Sequence, residues 1–152
     1  MDKNDILKHG FFGDHRWLSN YHIHDFEYEG RTFSSVEAFF QASKTTHLGD
    51  VMRISKMGPA DAKRAGQKVD LREDWEDIKL SIMALGLELK FPGGDDLSQA
   101  LLDTGDEELV EHNWWHDKFW GKHFGEGENH LGKLLMKRRD VLLGMPSVES
   151  KE

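Results

Sequence analysis

Glu37, Gln41 and Lys44 stand at i, i+4 and i+7, which puts a carboxylate, an amide and an amine on one helix face. Two other places concentrate the polar groups that chemistry needs. One is Leu18-Ser19-Asn20-Tyr21. The other is Asp117-Lys118-Phe119-Trp120-Gly121, followed by Gly125-Glu126-Gly127-Glu128-Asn129. As a set they suit cleavage of a glycosidic bond. That reaction needs a carboxylate near an oxocarbenium-like carbon, a group that binds or activates water, and a group that steadies the leaving base. An aromatic such as Trp120 can stack on a nucleobase. Glycines let backbone approach a phosphate, and Arg16, Lys63, Arg64 and Arg72 are cations that could meet one.

Each of these residues also has a plainer use. Ser34-Ser35-Val36-Glu37 matches a capping box, with Ser34 at the N-cap and Glu37 at N3. Glu37, Gln41 and Lys44 could form a solvated face. Asp117 could cap a loop, Trp120 could be a core aromatic, and the four cations could be ordinary surface charges. The histidine pairs His112/His116 and His22/His24 make a weak case for zinc. There is no cysteine and no His-Glu-x-x-His. A Gly-x-Ser-x-Gly elbow and a phosphate-binding loop ending in Gly-Lys-Ser/Thr are also missing from the sequence.

The 152 residues predict one domain over 1–144 and a loose polar tail over 145–152. With 38% apolar residues, five Trp and nine Phe, the chain can build a core and is not a disordered segment. A net charge of −8 suits it poorly to wrapping a phosphate backbone, which takes many Lys and Arg contacts. No apolar run approaches the roughly 20 residues of a membrane span. Residues 1–5 do not resemble a signal peptide, so a cytoplasmic protein is expected.

The elements that must position these residues follow from periodicity. Residues 1–33 read as irregular and β-like, with Phe26 and Tyr28 alternating with charges and a tight turn at Glu29-Gly30-Arg31. A helix over 34–47 carries the Glu37 face. Short helices are expected over 50–56 and 59–66. The strongest helix runs over 74–91, opened by Asp74 and ended by Pro92-Gly93-Gly94. A helix over 96–103, a strand at Leu109-Val110, a glycine-bearing loop over 121–127 and a last helix from Asn129 or His130 complete the chain. The fold class is α+β: a helix-dominated compact single domain with a small antiparallel sheet.

The ordered motifs resemble the YbiA-like family, also called NADAR for a proposed link to NAD and ADP-ribose metabolism. Leu18-Ser19-Asn20-Tyr21 is similar to its Leu-Ser-Asn-Phe/Tyr. Gly30, Phe33, Ser35, Glu37, Gln41, Ala42 and Lys44 match its Ser-x-Glu and Gln-Ala-x-Lys stretch. Ala62-Lys63, Gly66, Arg72 and Asp74-Trp75 follow, then Met83 and Lys90-Phe91, then Thr104-Gly105, Leu109 and Glu111. Asp117-x-x-Trp120-Gly121 and Gly127-x-Asn129-x-Leu131-Gly132-x-x-Leu135-Met136-x-x-Arg139 close the match, which runs from about Phe11 to Leu143. His112-Asn113-Trp114-Trp115-His116 and Phe39-Phe40 depart from the family's pattern.

The resemblance implies an N-glycosidase that cleaves a base–ribose bond. Its substrate would be a phosphoribosylamino-pyrimidine intermediate of riboflavin synthesis, or ADP-ribosylated guanine in nucleic acid. It implies Glu37, Asp117 and Lys44 as catalytic, with Lys44 either a phosphate contact or an amine nucleophile at C1′. Asn20, Trp120, Gln41, Gly121, Asn129, Lys63 and Arg72 would bind substrate, with Trp120 stacking on the base. No metal, redox cofactor or membrane is called for, and no oligomeric state is specified. Two rival expectations stand beside it: a module that binds ADP-ribose or an NAD derivative without turnover, and an interaction protein with an aromatic surface. A shared reaction predicts that Asn20, Glu37, Lys44, Asp117 and Trp120 converge on one pocket. The 121–127 loop would form its rim, with one of Lys63, Arg64 and Arg72 near a phosphate.

Overall fold

A computed structural model describes residues 1–146. In chain order the elements are α1 (Lys3–His9), a 3-10 turn (Gly13–Leu18), β1 (Phe26–Tyr28), β2 (Arg31–Phe33), α2 (Val36–Ala42) and α3 (Leu48–Ser55). Then come α4 (Pro59–Gly66), α5 (Trp75–Lys90), α6 (Asp96–Asp103), β3 (His112–Asn113), β4 (Lys122–His123) and α7 (His130–Leu143). This is the expected helix-rich α+β class. Of the expected tail, residues 147–152 lie outside the described part. Among the described residues no helix is long and apolar enough to cross a membrane.

The chain divides into two units: Asn20–Lys90, and Met1–Ser19 together with the chain from Phe91 on. In the first unit β1 and β2 form an antiparallel hairpin, with Phe26 opposite Phe33. Glu29 and Gly30 both take positive φ, 50° and 76°, as a two-residue hairpin turn requires. Alternation brings Phe26, Tyr28 and Phe33 edge-on to Phe39 of α2 at 5.8, 5.6 and 5.1 Å. On another side Phe40 meets Trp75 of α5 at 4.9 Å. Helix α2 is thus the hub of this unit, and five of its seven residues besides Gln41 are buried. Gly86 lets α5 approach it, since a Cβ there would lie 3.2 Å from both Phe39 and Val36.

Four expectations are corrected here. The expected capping box at 34–37 does not form. Ser35, extended at φ −167°, is the N-cap, and its Oγ accepts the Ala38 N–H at 3.1 Å. Ser34 is spent elsewhere, its Oγ donating to the Met57 carbonyl at 2.5 Å. Second, α2 stops at Ala42 instead of running to 47, where the Ser43 hydroxyl donates back to the Phe39 carbonyl at 2.7 Å. Third, Asp74 does not cap α5 with its side chain, which is held by Arg72 at 2.6 and 3.1 Å. Its carbonyl does accept the Ile78 N–H at 3.1 Å. Fourth, residues 1–33 are not uniformly β-like. Helix α1 forms because Asp2 and Asp5 cap each other reciprocally, at 2.9 and 3.0 Å.

In the second unit α6 and α7 pack together around Leu101, Leu131, Leu135 and Leu142, all buried. The buried Arg139 donates to the Thr104 hydroxyl at 2.8 Å and the Glu107 carbonyl at 2.9 Å. Leu109 and Val110 are buried but form no strand. The pairing occurs later, where β3 and β4 run parallel with His112 opposite Lys122. The loop expected at 121–127 therefore begins with a strand.

Candidate active site

In the unit Asn20–Lys90 the polar residues of α2 are fixed from both ends. The Glu37 N–H donates to the Asn20 carbonyl at 3.1 Å, tying the Leu-Ser-Asn-Tyr segment to the first turn of the helix. One turn on, Gln41 Nε2 donates to Glu37 Oε2 at 2.8 Å. Gln41 is itself seated against Gly66 of α4, where a Cβ would collide with Gln41 Oε1. The helix-turn spacing and this seat together aim the Glu37 carboxylate.

Two acceptors in this region have no hydrogen-bond partner. Asn20 Oδ1 and Gln41 Oε1 are both buried away from solvent, and Asn20 uses only its Nδ2, on Met83 Sδ at 3.4 Å. A buried acceptor left unmade costs about 1–3 kcal/mol. Such a cost is tolerated where a ligand or water completes the bond.

Lys44 lies past the end of α2, so the i+7 helical spacing does not place it. It nonetheless lies within electrostatic reach of Glu37 and Lys63. Burial pushes its amine below the ordinary lysine range, Glu37 pulls it up and Lys63 pushes it further down. Its Nζ sits 5.7 Å from the Phe40 ring centre and 6.0 Å from that of Trp75, over an aromatic floor. The Lys44 carbonyl accepts the Arg72 N–H at 2.8 Å, so the two residues are neighbours through backbone. The Arg72 guanidinium is already paired with Asp74. Lys63 is exposed.

Tyr21 belongs here too, although composition and spacing assigned it no role. Burial raises its phenol above the usual range, the Glu37 charge raises it further and Arg64 lowers it. The one sequence signal was its place directly after Asn20.

The other unit holds the remaining sequence candidates. Asp117 Oδ1 accepts the N–H groups of Phe119 and Trp120 at 3.1 and 2.9 Å. Asn113 grips the Asp117 backbone on both sides, donating to its carbonyl at 2.8 Å and accepting its N–H at 3.1 Å. Trp120 is half-buried, edge-on to Phe119 at 4.8 Å, and its carbonyl accepts the Leu131 N–H at 2.9 Å. Gly121 is buried because a Cβ would strike the Glu111 backbone and carboxylate. Asn129 takes a left-handed φ of 53°. Its amide group spans two backbone sites, accepting from Glu111 N–H at 3.0 Å and donating to the Leu109 carbonyl at 2.9 Å. Gly121 and Asn129 thus position the loop that carries Asp117 and Trp120. His112 and His116 share no helix face, since one is in β3 and the other in the loop after it. Among the described residues no three His, Asp or Glu gather as metal ligands.

The structure therefore brings together Asn20, Glu37, Gln41 and Lys44 within one unit, and Asp117, Trp120, Gly121 and Asn129 within the other. The sequence matches the NADAR domain over residues 8–143, nearly the whole chain, and the protein belongs to that family. It is 34% identical over 137 residues to N-glycosidase YbiA of Escherichia coli (strain K12), covering 86% of this chain and 82% of that one. It is 34% identical over 136 residues to riboflavin biosynthesis protein VVA0006 of Vibrio vulnificus (strain YJ016), covering 85% of this chain and 36% of that longer protein. The NMR structure of the E. coli protein YbiA superposes with a TM-score of 0.78 at 32% identity, covering 90% of this chain and 85% of that one.

Proposed function

We propose that this protein is an N-glycosidase that hydrolyses the base–ribose bond of a small ribosylated nucleotide, of the phosphoribosylamino-pyrimidine kind that riboflavin synthesis uses. Relatives named for N-glycosidase activity and for riboflavin biosynthesis support the reaction class. The observation that carries the residue assignment is the Glu37–Gln41 pair with its two orphaned acceptors. A carboxylate is aimed by an amide at 2.8 Å, and buried Oδ1 and Oε1 atoms await N–H or O–H donors. Ribose hydroxyls and amino-substituted bases supply such donors.

In the reaction, the bond from C1′ to the base nitrogen breaks and an oxygen from water bonds to C1′. The leaving nitrogen takes up a proton. Glu37 stabilises the positive charge that builds at C1′, or orients the water that attacks it. Asn20 and Gln41 hold the substrate's hydroxyls and amines. Lys44, with Lys63 and Arg72, supplies positive charge for the 5′-phosphate. Asp117 is the second carboxylate and Trp120 the platform for the base, both carried over from the family resemblance. A net charge of −8 favours a free nucleotide over a nucleic-acid-borne substrate.

A panel of a phosphoribosylamino-pyrimidine, ADP-ribosylated guanosine and NAD, scored for free base, tests this directly. Release from the first alone is the expected result. Release from ADP-ribosylated guanosine instead would move the substrate class to ADP-ribose. Saturable binding of any of the three without release would make the protein a binding module.

A further inference from the structure

The unit formed by Met1–Ser19 and the chain from Phe91 on contains a cleft that shares no residue with the site proposed above. Its volume is about 490 Å³, within the size range of small-molecule sites. Phe11, Leu18, Leu109 and Val110 make an apolar lining, each no more than 8% exposed. His112 enters the same cleft, and its Nδ1 is buried with no hydrogen-bond partner. Elsewhere in this unit buried polar groups such as those of Asn129 and Arg139 are paired. An orphaned ring nitrogen on an apolar bed is therefore an exception that a bound group would resolve.

The charges around the cleft narrow the ligand. Lys8 and His15 come from α1 and the 3-10 turn, whereas Glu107 and Glu108 come from the segment after α6. A ligand of either net charge would meet a repelling group, so an uncharged, dipolar molecule fits better. The imidazole of His112 is held toward its neutral form by burial, then by Lys122 and His9, against the pull of Glu108. A neutral imidazole nitrogen donates or accepts according to tautomer. A lactam edge, with N–H beside C=O, satisfies either one. A flat ring carrying that edge would cover the apolar lining.

From the cleft, its apolar lining and the orphaned His112 Nδ1, we propose a binding site for an uncharged heterocyclic base with a lactam edge. The proposal is independent of the N-glycosidase reading, because none of its residues serves that reaction.

Uracil is the probe, titrated into the 15N-labelled full chain and followed by NMR. Saturable shifts should appear at the His112 imidazole and at the Leu109 and Val110 amides. His112→Phe keeps a flat ring and removes the nitrogen, and it should weaken uracil binding about tenfold, as loss of one buried hydrogen bond does. Orotate, the same ring with a carboxylate, should bind more weakly than uracil. The proposal is overturned if saturable shifts map to α2 instead, if none appears up to the solubility of uracil, or if folded His112→Phe binds as tightly as wild type. Should that variant not fold, the wild-type shift map and the uracil–orotate comparison decide. Base release by the same wild-type preparation is scored separately, so failure of the cleft leaves the glycosidase result standing.

Discussion

Gln41 Nε2 donates to Glu37 Oε2 across one turn of α2 at 2.8 Å, while the cap of that helix is made by Ser35. The carboxylate is thus free of the structural duty that its sequence context suggested. Glu37→Gln should lose on the order of 100-fold or more in turnover, as removal of a catalytic carboxylate does, with a melting temperature close to wild type. Ser35→Ala should do the reverse, costing about 1 kcal/mol of stability with turnover retained. Turnover and thermal melts on the two variants check both halves. A folded Glu37→Gln enzyme at wild-type rate would remove Glu37 from the chemistry.

Lys44 should titrate below an ordinary lysine because it is partly buried, and its two charged neighbours act in opposite directions. Glu37→Gln removes a charge that favours the ammonium, so the amine should titrate lower still. Lys63→Ala removes a repelling cation, so it should titrate higher. NMR of 13C-methylated lysines across alkaline pH reads both shifts. Equal shifts of one sign would show that Lys44 does not sense the two residues separately.

Asp117 combines a charge with a loop-capping oxygen, and the two can be parted. Asp117→Asn keeps an acceptor for the Phe119 and Trp120 N–H groups and removes the charge. It should leave the melting temperature near wild type and lower turnover if the carboxylate acts in the reaction. Asp117→Ala should also cost stability, about 1–3 kcal/mol for the N–H groups left unmade. Equal turnover in Asp117→Asn and wild type would reduce Asp117 to its cap.

Lys90, 1% exposed at the end of α5, has its amine pushed down to about 7 by burial. In the unfolded chain it returns to the ordinary value of 10.5. Between those values the unfolded state binds the extra proton, so stability should rise with pH from about 7 towards about 10.5. Below 7 the burial penalty is at its full size. Lys90→Met should flatten the rise, which denaturant titrations at several pH values would measure. An unchanged pH slope in the variant would assign the dependence to other groups.

What the sequence made legible was largely what local chemistry dictates. The β1–β2 hairpin was readable from Phe26, Tyr28 and the Glu29-Gly30 turn, and α4 from Pro59 at its first position. The Glu37–Gln41 face was readable from its four-residue spacing. The helix cap was misplaced because adjacent serines offer two registers, and only Met57, twenty-three residues from Ser34, decides between them. Helix α1 escaped notice because a reciprocal Asp–Asp cap stabilises it and only Ile6 is buried within it. Leu109 and Val110 have strand-like composition, yet their environment comes from Asn129, a side-chain contact across twenty residues that no periodicity records. The β3–β4 pair is too short for any pattern to show.

Asn129 also sets a clock on its surroundings. The Glu111 amide belongs to no ladder, but its proton is held by Asn129 Oδ1 at 3.0 Å, from a side chain that is 2% exposed. In deuterated solvent that proton should exchange at the pace of the α7 helix, because both are released only when residue 129 lets go. Asn129→Ala would turn a slow, cooperative opening into a fast local one at position 111, leaving the α2 amides on their original timescale. One amide in an irregular stretch would then report when the loop of Asp117 and Trp120 breathes.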